Sequence, residues 1–164
     1  MKNPSDMKNQ SAEFRALREI FGLTQNNIGD ALARTRMTVK YWENPDCTTN
    51  PPDFAWAYMK KRMESQTELV AKTVAEAEKN AVESEDGKKT ARLLFYRDQP
   101  HYDVNHPDED EKEIYGAANS AACTAAVMLI IKGYEIEWDY PPTPKALGVE
   151  RPSKKKKKTE EAED

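Results

Sequence analysis

Apolar residues near the amino end of the chain recur with the 3.6-residue period of amphipathic helices. The apolar stripe from Phe14 to Phe21 predicts a first helix, which Ser11 would cap and Gly22 would end in a left-handed turn. The residues before Ser11 are polar, so we expect them to be frayed.

Two shorter helices are predicted next, roughly over residues 25–33 and 36–43, because Thr24 and Thr35 are suitable caps. Gly29 would let these two helices approach each other closely, as in a helix-turn-helix. The apolar positions that would face inward are Ile28, Leu32, Val39 and Trp42.

A fourth helix is predicted after a polar turn, with Asn50 as its cap and Pro51 as its first residue. The capping-box sequence from Ser65 to Glu68 predicts that a separate connecting helix begins there and covers residues 69–82. Residues 83–89, which include Gly87, would end it and form the boundary between two units.

The second unit is predicted to be a small β-α-β unit. Residues 90–97 and 134–140 have the composition of strands, and the second segment alternates strictly between apolar and acidic side chains. Residues 99–111 are predicted to form a loop, and residues 113–132 a long helix that Gly133 stops.

This long helix is apolar on almost all sides over residues 121–131, and a two-stranded sheet cannot cover all of them. We therefore expect the protein to self-associate through the helix and the following strand. The predicted interface residues are Ala121, Ala125, Met128, Leu129 and Trp138.

Together these elements predict a mostly α-helical, α+β fold. Residues 1–10 would be a flexible terminus, residues 11–64 a helix-turn-helix bundle of four to five helices, and residues 65–89 the connecting helix and linker. Residues 90–140 would form the dimerisation unit. Residues 141–164 lack periodicity and are rich in proline and charge, which predicts disorder.

Composition allows a modest core and reveals an uneven charge. Of 164 residues 38% are hydrophobic and 33% charged, and the net charge of -4 by itself argues against a nucleic-acid binder. However, residues 1–62 hold ten basic against seven acidic residues, and residues 90–140 hold four against ten. The amino-terminal part could therefore approach phosphate, whereas the carboxy-terminal part would repel it.

No targeting or membrane segment is expected. The apolar run at residues 121–131 is shorter than the ~20 residues that span a bilayer, and the amino terminus lacks a signal-peptide apolar region. We therefore expect a cytoplasmic protein with no membrane partner. Cys47 and Cys123 are far apart and lack CxxC spacing, so we expect reduced thiols.

No catalytic or cofactor motif is recognisable in the sequence. His101 and His106 share a segment with several acids, but its spacing lacks the central glycine and terminal glutamate of a calcium loop. No HExxH motif occurs either. We expect a solvated acidic loop, with no metal, no cofactor and no enzymatic activity.

The predicted third helix carries a dense set of outward polar side chains. Arginine can bond guanine O6 and N7 together, methionine or a threonine methyl can contact thymine, and lysine and tyrosine suit phosphate or base edges. A glutamine at the start of the second helix could bond a phosphate. The alternative is a helical hairpin whose side chains are merely solvated. The candidate DNA-binding residues are Gln25, Thr35, Arg36, Met37, Thr38, Lys40 and Tyr41.

Residues 23–44 resemble the helix-turn-helix of the lambda-repressor/Cro-like family, which implies that helix 3 is offered to the DNA major groove. The chain departs from the family at Ala33 and Arg34, where the family usually has glycine and an apolar residue. Left-handed alanine costs about 1 kcal/mol relative to glycine, so we expect a reshaped turn. The matching positions are Leu23-Thr24-Gln25, Ile28-Gly29, Leu32, Arg36, Thr38-Val39 and Trp42-Glu43.

The order of elements over roughly residues 12–140 is more narrowly similar to the phage anti-CRISPR-associated regulators. This resemblance implies a homodimeric repressor that binds inverted repeats in the promoter of its own operon. Its partner would be a pseudo-palindromic, double-stranded DNA operator. The carboxy-terminal features that carry it are Leu94-Phe95-Tyr96-Arg97, the acidic loop, the alanine-rich helix and the strand with Gly133, Glu135 and Glu137.

Two other functions stay open at this point. The helix-turn-helix could serve protein interaction without DNA, through the acidic face of the second unit, or the target could be RNA. The five lysines at residues 154–158 form either a solvated tail or a sequence-independent contact with nucleic acid. The acids that follow them cancel most of their field beyond a Debye length of about 8 Å.

Overall fold

The structure of the protein, a computed structural model, describes residues 4–108 and 113–149, with side chains from residue 10 onwards. This part of the chain is mostly helical with one small sheet, so the predicted α+β class is confirmed. The helices are α1 Pro4–Ile20, α2 Gln25–Ala31, α3 Arg36–Trp42, α4 Asp53–Lys79, α5 Gln99–Asn105 and α6 Tyr115–Ile131. The strands are β1 Val82–Glu83, β2 Lys89–Leu94 and β3 Glu135–Asp139.

Helices α1, α2 and α3 pack around one apolar core together with the first part of α4. The residues predicted to face inward do so: Ile28, Val39 and Trp42 are buried, and Leu32 packs against the same core. The Phe14 ring of α1 meets the Trp42 ring edge-on, with 5.9 Å between centroids. This geometry is favourable for aromatic pairs and fixes α1 against α3.

The first helix begins earlier than predicted. It starts at Pro4, so the predictions that Ser11 caps it and that residues 4–10 are frayed are wrong. Ser11 is instead buried within the helix. A proline is tolerated at the first helical position, and neither glycine nor proline follows it before the end of α1. The predicted left-handed turn at Gly22 is confirmed, with φ +64°.

The fourth helix is one continuous element of 27 residues, about 40 Å long. Pro52 precedes its first turn, so the prediction of Asn50 as cap and Pro51 as first residue is wrong. A separate helix after Ser65 is also wrong, because the Ser65 hydroxyl donates to the Lys61 carbonyl, 3.2 Å away within the same helix. No glycine or proline interrupts α4, and its second half occupies most of the predicted connecting segment.

The sheet has the strand order β1-β2-β3 and lies against α6 and the second half of α4. Strands β2 and β3 are parallel, with Ala91 opposite Ile136 and Leu93 opposite Trp138, and the connection between them contains α5 and then α6. The predicted β-α-β unit is therefore confirmed. The sequence prediction missed β1, a two-residue strand paired antiparallel to β2 across the turn that contains Gly87.

Two segments predicted to be irregular are ordered by side-chain hydrogen bonds. Residues 99–105 form α5 rather than a loop, because the Asp98 carboxylate accepts the His101 N–H at 3.0 Å and caps the helix. His101 Nε2 lies 2.8 Å from the Pro141 carbonyl oxygen, and the Asn105 amide donates to Pro142. Disorder was therefore wrongly predicted for residues 141–149. Residues 109–112 and 150–164, including the lysine run, lie outside the described residues.

The bundle and the β-α-β unit are joined by close backbone packing. A Cβ added at Gly22 would lie 1.9 Å from the Gly116 carbonyl oxygen, so only glycine fits this contact. Ala117 is buried in the apolar core that α1, α2, α3 and the first part of α4 share, and its carbonyl accepts the Gln66 side-chain amide of α4 at 3.2 Å. The first turn of α6 is thus part of the bundle, which fixes α6 relative to α3.

Candidate nucleic-acid interface

Both short helices begin at threonine caps, as predicted. Thr24 Oγ1 accepts the Asn27 N–H at 3.1 Å while Asn27 Oδ1 accepts the Thr24 N–H at 2.8 Å, a reciprocal capping box. Thr35 Oγ1 accepts the Thr38 N–H at 3.2 Å and starts α3. The two caps therefore define where α2 and α3 begin.

The turn between α2 and α3 is built around a left-handed alanine. Ala33 has φ +51°, the one positive φ among the described residues other than glycine, so alanine adopts the left-handed conformation here despite the cost that led us to expect a reshaped turn. The Arg34 N–H donates to the Gly29 carbonyl at 2.8 Å. A Cβ at Gly29 would lie 2.7 Å from the Arg34 carbonyl oxygen, so only glycine allows α2 to pack this closely against the turn. The Arg34 guanidinium lies over the Phe54 ring, 5.1 Å from its centroid.

Helix α3 divides cleanly into a buried and an exposed side. Val39 and Trp42 enter the core, while four of the predicted DNA-binding side chains remain on the surface. Met37 and Tyr41 are each 47% exposed. The exposed members of the predicted set on this helix are Arg36, Met37, Lys40 and Tyr41.

The three other predicted residues are engaged in hydrogen bonds within the protein. The Thr35 and Thr38 hydroxyls lie 3.0 Å apart at the start of α3. The Gln25 side-chain amide nitrogen donates to Glu43 at 2.9 Å. Gln25 Oε1 is 3.4 Å from Arg36 Nε, a long hydrogen bond. Gln25 therefore connects the exposed Arg36 to the interior of the bundle, and its predicted contact with phosphate stays a prediction.

A buried ion pair anchors this connection. The Glu43 carboxylate is buried and accepts hydrogen bonds from the Arg18 guanidinium of α1, one of them at 3.1 Å. Arg18 also donates to the Leu23 carbonyl at 2.9 Å, just before α2. Because charge-assisted bonds are short and directional, the pair holds α1, the start of α2 and the end of α3 in one arrangement.

Sequence reasoning had not identified Arg18 and Glu43 as part of the site. Their spacing could have indicated them, because Arg18 is four residues after the apolar Phe14 and Glu43 is four residues after the apolar Val39. That spacing places each charge on the buried side of its helix. Two opposite charges on apolar helix faces indicate a buried pair, since an unpaired buried charge is very unfavourable.

A second ion pair, between Arg15 and Glu19 of α1, is exposed at the surface. Arg15 Nε lies 2.9 Å from Glu19 Oε1, one turn along the helix. The hydrogen bond from Arg15 lowers the pKa of the Glu19 carboxyl below its ordinary value, and the nearby positive charges act in the same direction. The same bond raises the pKa of Arg15. This pair lies on the surface, and Glu19 Oε1 also accepts a 3.2 Å hydrogen bond from Arg18, which links the pair to the α3 network.

The predicted self-association residues divide between the interior and the surface. Ala121, Ala125 and Leu129 are completely buried within one chain, where residues of α4 and β2 cover the latter two. Their assignment to an interface is therefore wrong, because the second half of α4, which the sequence predicts only as a connecting helix, packs on that side of α6. Met128 and Trp138 are exposed, and their role in an interface stays a prediction.

The side of α6 that faces away from α4 and β2 is exposed to solvent, although it is apolar. Ile131 is 80% exposed and Val127 is 58% exposed. We call this surface the outer face, defined by Cys123, Thr124, Val127, Ile130 and Ile131. It adjoins the exposed Trp138 through a recess that Cys123 lines.

The two histidines considered as metal ligands are held by protein groups. His101 is completely buried, and its Nδ1 accepts the Arg97 N–H at 3.2 Å. His106 Nδ1 lies 2.9 Å from the Tyr102 carbonyl oxygen. Within residues 4–108 and 113–149, no three His, Cys, Asp or Glu side chains are grouped so that they could hold a metal ion.

No helix in the described ranges combines the length and the apolar character that crossing a membrane requires. No protein-family model matches the chain, and no curated protein is significantly similar to it.

Proposed function

We propose that the protein is a sequence-specific DNA-binding transcriptional repressor that acts as a homodimer on inverted-repeat operators. In the narrower form of this proposal, it regulates its own operon in a phage or mobile element. The observation that carries the proposal is the exposed side of α3, where Arg36, Met37, Lys40 and Tyr41 lie together on a helix fixed at both ends.

The dimensions of α3 suit the major groove. Its seven residues make a helix about 10 Å long, and the groove is roughly 12 Å wide. Arg36 is the first residue of this helix, the end whose residues contact base edges in helix-turn-helix proteins. An arginine there can bond guanine O6 and N7 together, and the adjacent Met37 can contact a thymine methyl group.

The hydrogen-bond chain through Gln25 supports a specific role for Arg36. Gln25 accepts from Arg36 Nε and donates to Glu43, which is itself paired with Arg18. This arrangement uses Nε of Arg36 and leaves its two terminal nitrogens for a base. A side chain held in place before binding loses less conformational entropy on contact, which favours selective recognition.

Lys40 and Tyr41 suit a positioning role. Both lie on the exposed side of the last turn of α3, where a lysine or a tyrosine hydroxyl can bond a backbone phosphate. Such contacts fix the orientation of a protein on the duplex without reading sequence. The excess of basic residues over residues 1–62 favours approach to phosphate from this end of the molecule.

A homodimer would give the interaction its specificity. Two copies of α3 in successive major grooves lie about 34 Å apart, so the operator would be a pseudo-palindrome. The apolar outer face of α6 supports self-association, because large exposed apolar patches on soluble proteins commonly mark interaction sites.

A gel-shift series tests the proposal. The full chain is titrated against its own upstream DNA, a scrambled duplex of the same composition and its own transcript, at several salt concentrations. We expect tighter binding to the upstream DNA than to the scrambled duplex or the RNA. Equal binding to both duplexes with a steep salt slope would indicate backbone contact alone. A preference for the transcript would indicate RNA regulation, and no shift on any probe would favour protein interaction; each result contradicts the proposal.

A further inference from the structure

The outer face of α6 carries no charge along its whole length. Every residue of α6 from Tyr115 to Ile131 is uncharged, and the flanking Trp138 and Tyr140 are also exposed. This surface exposes apolar area on the order of several hundred Å², the size of patch that commonly marks an interaction site on a monomer. A stable dimer buries roughly 800 Å² on each partner, so this one surface can supply most of an interface.

The outer face is also graded in size. Its amino-terminal end carries the small side chains of Cys123 and Thr124, its centre carries Val127, and its carboxy-terminal end carries the large Ile130 and Ile131. If a second copy of the helix is reversed about Val127, position 123 lies opposite 131 and position 124 opposite 130. The graded surface is therefore complementary in shape to its own reversed copy.

A recess lies beside the small end of the outer face. Its volume is about 330 Å³, and its apolar walls come from Phe95, Cys123, Trp138 and Tyr140, with Asp139 at one side. Aliphatic side chains from the large end of a reversed copy are the apolar groups placed to fill it. Packing of this kind removes apolar surface from water and leaves no charge unpaired.

We propose that two copies of this chain associate through their outer faces, with the two α6 helices antiparallel about a two-fold axis at Val127. The isoleucines of one copy pack against Cys123 and Thr124 of the other and enter the recess beside Cys123. This inference deepens the proposed homodimer and rests on it. Two-fold symmetry requires one self-complementary surface, and the graded outer face meets that requirement.

The composition of the chain argues against another occupant from within it. Residues 150–164 contain five consecutive lysines and several acids but no large apolar side chain. Such a segment cannot cover an uncharged surface of isoleucine and valine without desolvating its own charges. A parallel pair of α6 helices fits less well, because it would set isoleucines against isoleucines and the small residues against each other.

The first test changes the charge at the centre of the outer face. Val127→Glu is compared with Val82→Glu, which makes the same substitution on β1, at the sheet edge opposite β3. Val127 is 58% exposed and Val82 is 70% exposed, so neither substitution disturbs the core. In sedimentation at micromolar concentration, we expect dimers of the wild type and of Val82→Glu, and monomers of Val127→Glu with unchanged helical circular dichroism. A monomeric wild type, or a dimeric Val127→Glu, would overturn the proposal.

The second test determines the direction of the helices. In the antiparallel pair the two Cys123 positions are about 12 Å apart along the helix axis, beyond the Cα separation that a disulfide permits. We expect no cross-link in the wild type under mild oxidation. We expect a cross-linked dimer of Val127→Cys in a Cys47→Ser, Cys123→Ser background. A Cys123 cross-link in the wild type, or the absence of one at position 127, would overturn the antiparallel arrangement.

Both measurements are made without DNA, so they separate this inference from the proposed repression. A dimer with the expected cross-links that binds no upstream DNA would refute the repressor and leave the interface standing. A protein that binds upstream DNA selectively but sediments as a monomer, or whose Val127→Glu form still dimerises, would refute the interface and leave sequence-specific DNA binding standing.

Discussion

Helices α3 and α6 both expose a full side to solvent, but the chemistry of the two exposed sides is opposite. On α3 the exposed side carries Arg36 and Lys40, and on α6 it carries Val127 and Ile131. In α3 the polar and apolar positions alternate with the helical period, so the sequence identifies which side is buried. In α6 nearly every position is apolar or small, so no side is distinguished by sequence. The difference separates a surface suited to phosphate and bases from one suited to another apolar surface.

The largest expected effect concerns the buried side of α6. Leu129→Ala should reduce the free energy of unfolding by ~2 to 5 kcal/mol, because Leu129 is completely buried and its removal leaves a cavity. The matched control, Leu94→Ala on β2, removes a leucine that is 42% exposed and should cost clearly less. Urea titration followed by circular dichroism measures both. Equal losses in the two variants would mean that the inner side of α6 is wrongly placed.

The next effect concerns the exposed side of α3. Arg36→Ala should weaken binding to the operator by ~1 to 3 kcal/mol and relax the choice of base at one position. Lys40→Ala should weaken operator and scrambled DNA alike and reduce the salt dependence, since a phosphate contact carries no sequence information. Fluorescence anisotropy with both duplexes measures the four affinities. If Arg36→Ala lowers affinity for both duplexes to the same extent, Arg36 does not read bases.

A smaller effect is expected at the turn that presents α3. Ala33→Gly should raise the free energy of unfolding by up to about 1 kcal/mol, because glycine adopts the left-handed conformation without a steric penalty. Ala75→Gly, at an exposed position in α4 four residues before the helix ends, should lower the free energy of unfolding by a similar amount, since glycine disfavours the helical conformation. Thermal unfolding shows whether each variant is more or less stable than the wild type. A lower melting temperature for Ala33→Gly would contradict the left-handed alanine.

The smallest effect concerns the exposed pair on α1. The pKa of Glu19 is lowered by the hydrogen bond from Arg15, so the charged carboxylate favours the folded state. This contribution is present above the ordinary pKa of glutamate and is lost as pH falls through the lowered value. Glu19→Gln should therefore be slightly less stable than the wild type near neutral pH, and the difference should shrink in acid, as the pH falls below the ordinary pKa of glutamate. Urea titrations near neutral pH and in acid, with added salt as a control for screening, measure the difference. A stability difference between the two proteins that persists or grows in acid would contradict a lowered pKa of Glu19.

Much of the fold follows from local patterns in the sequence. Thr24 and Thr35 lie immediately before apolar periodic segments, and both start their helices as predicted. The alternation in residues 134–140 predicts a strand, and β3 is found at Glu135–Asp139. These patterns succeed because each depends on interactions within a few residues, which the sequence specifies directly.

The errors arise where a local signal competes with the rest of the chain. The capping-box sequence at Ser65 starts no helix but lies within a longer one, because no glycine or proline interrupts α4 and its second half packs against α6 and the sheet. Helix α5 forms in a polar segment because Asp98 caps it and the buried His101 lies within hydrogen-bond distance of the Pro141 carbonyl. Such outcomes depend on contacts between distant residues.

The sequence by itself determined helices α2 and α3, their two threonine caps and the polar side of α3. Periodicity and capping chemistry act within single helices, so no knowledge of the rest of the molecule is required. Only the tertiary structure decided which side of α6 is buried and which remains exposed. An almost wholly apolar helix has no preferred side of its own, and the packing of α4 and the sheet against it makes the choice.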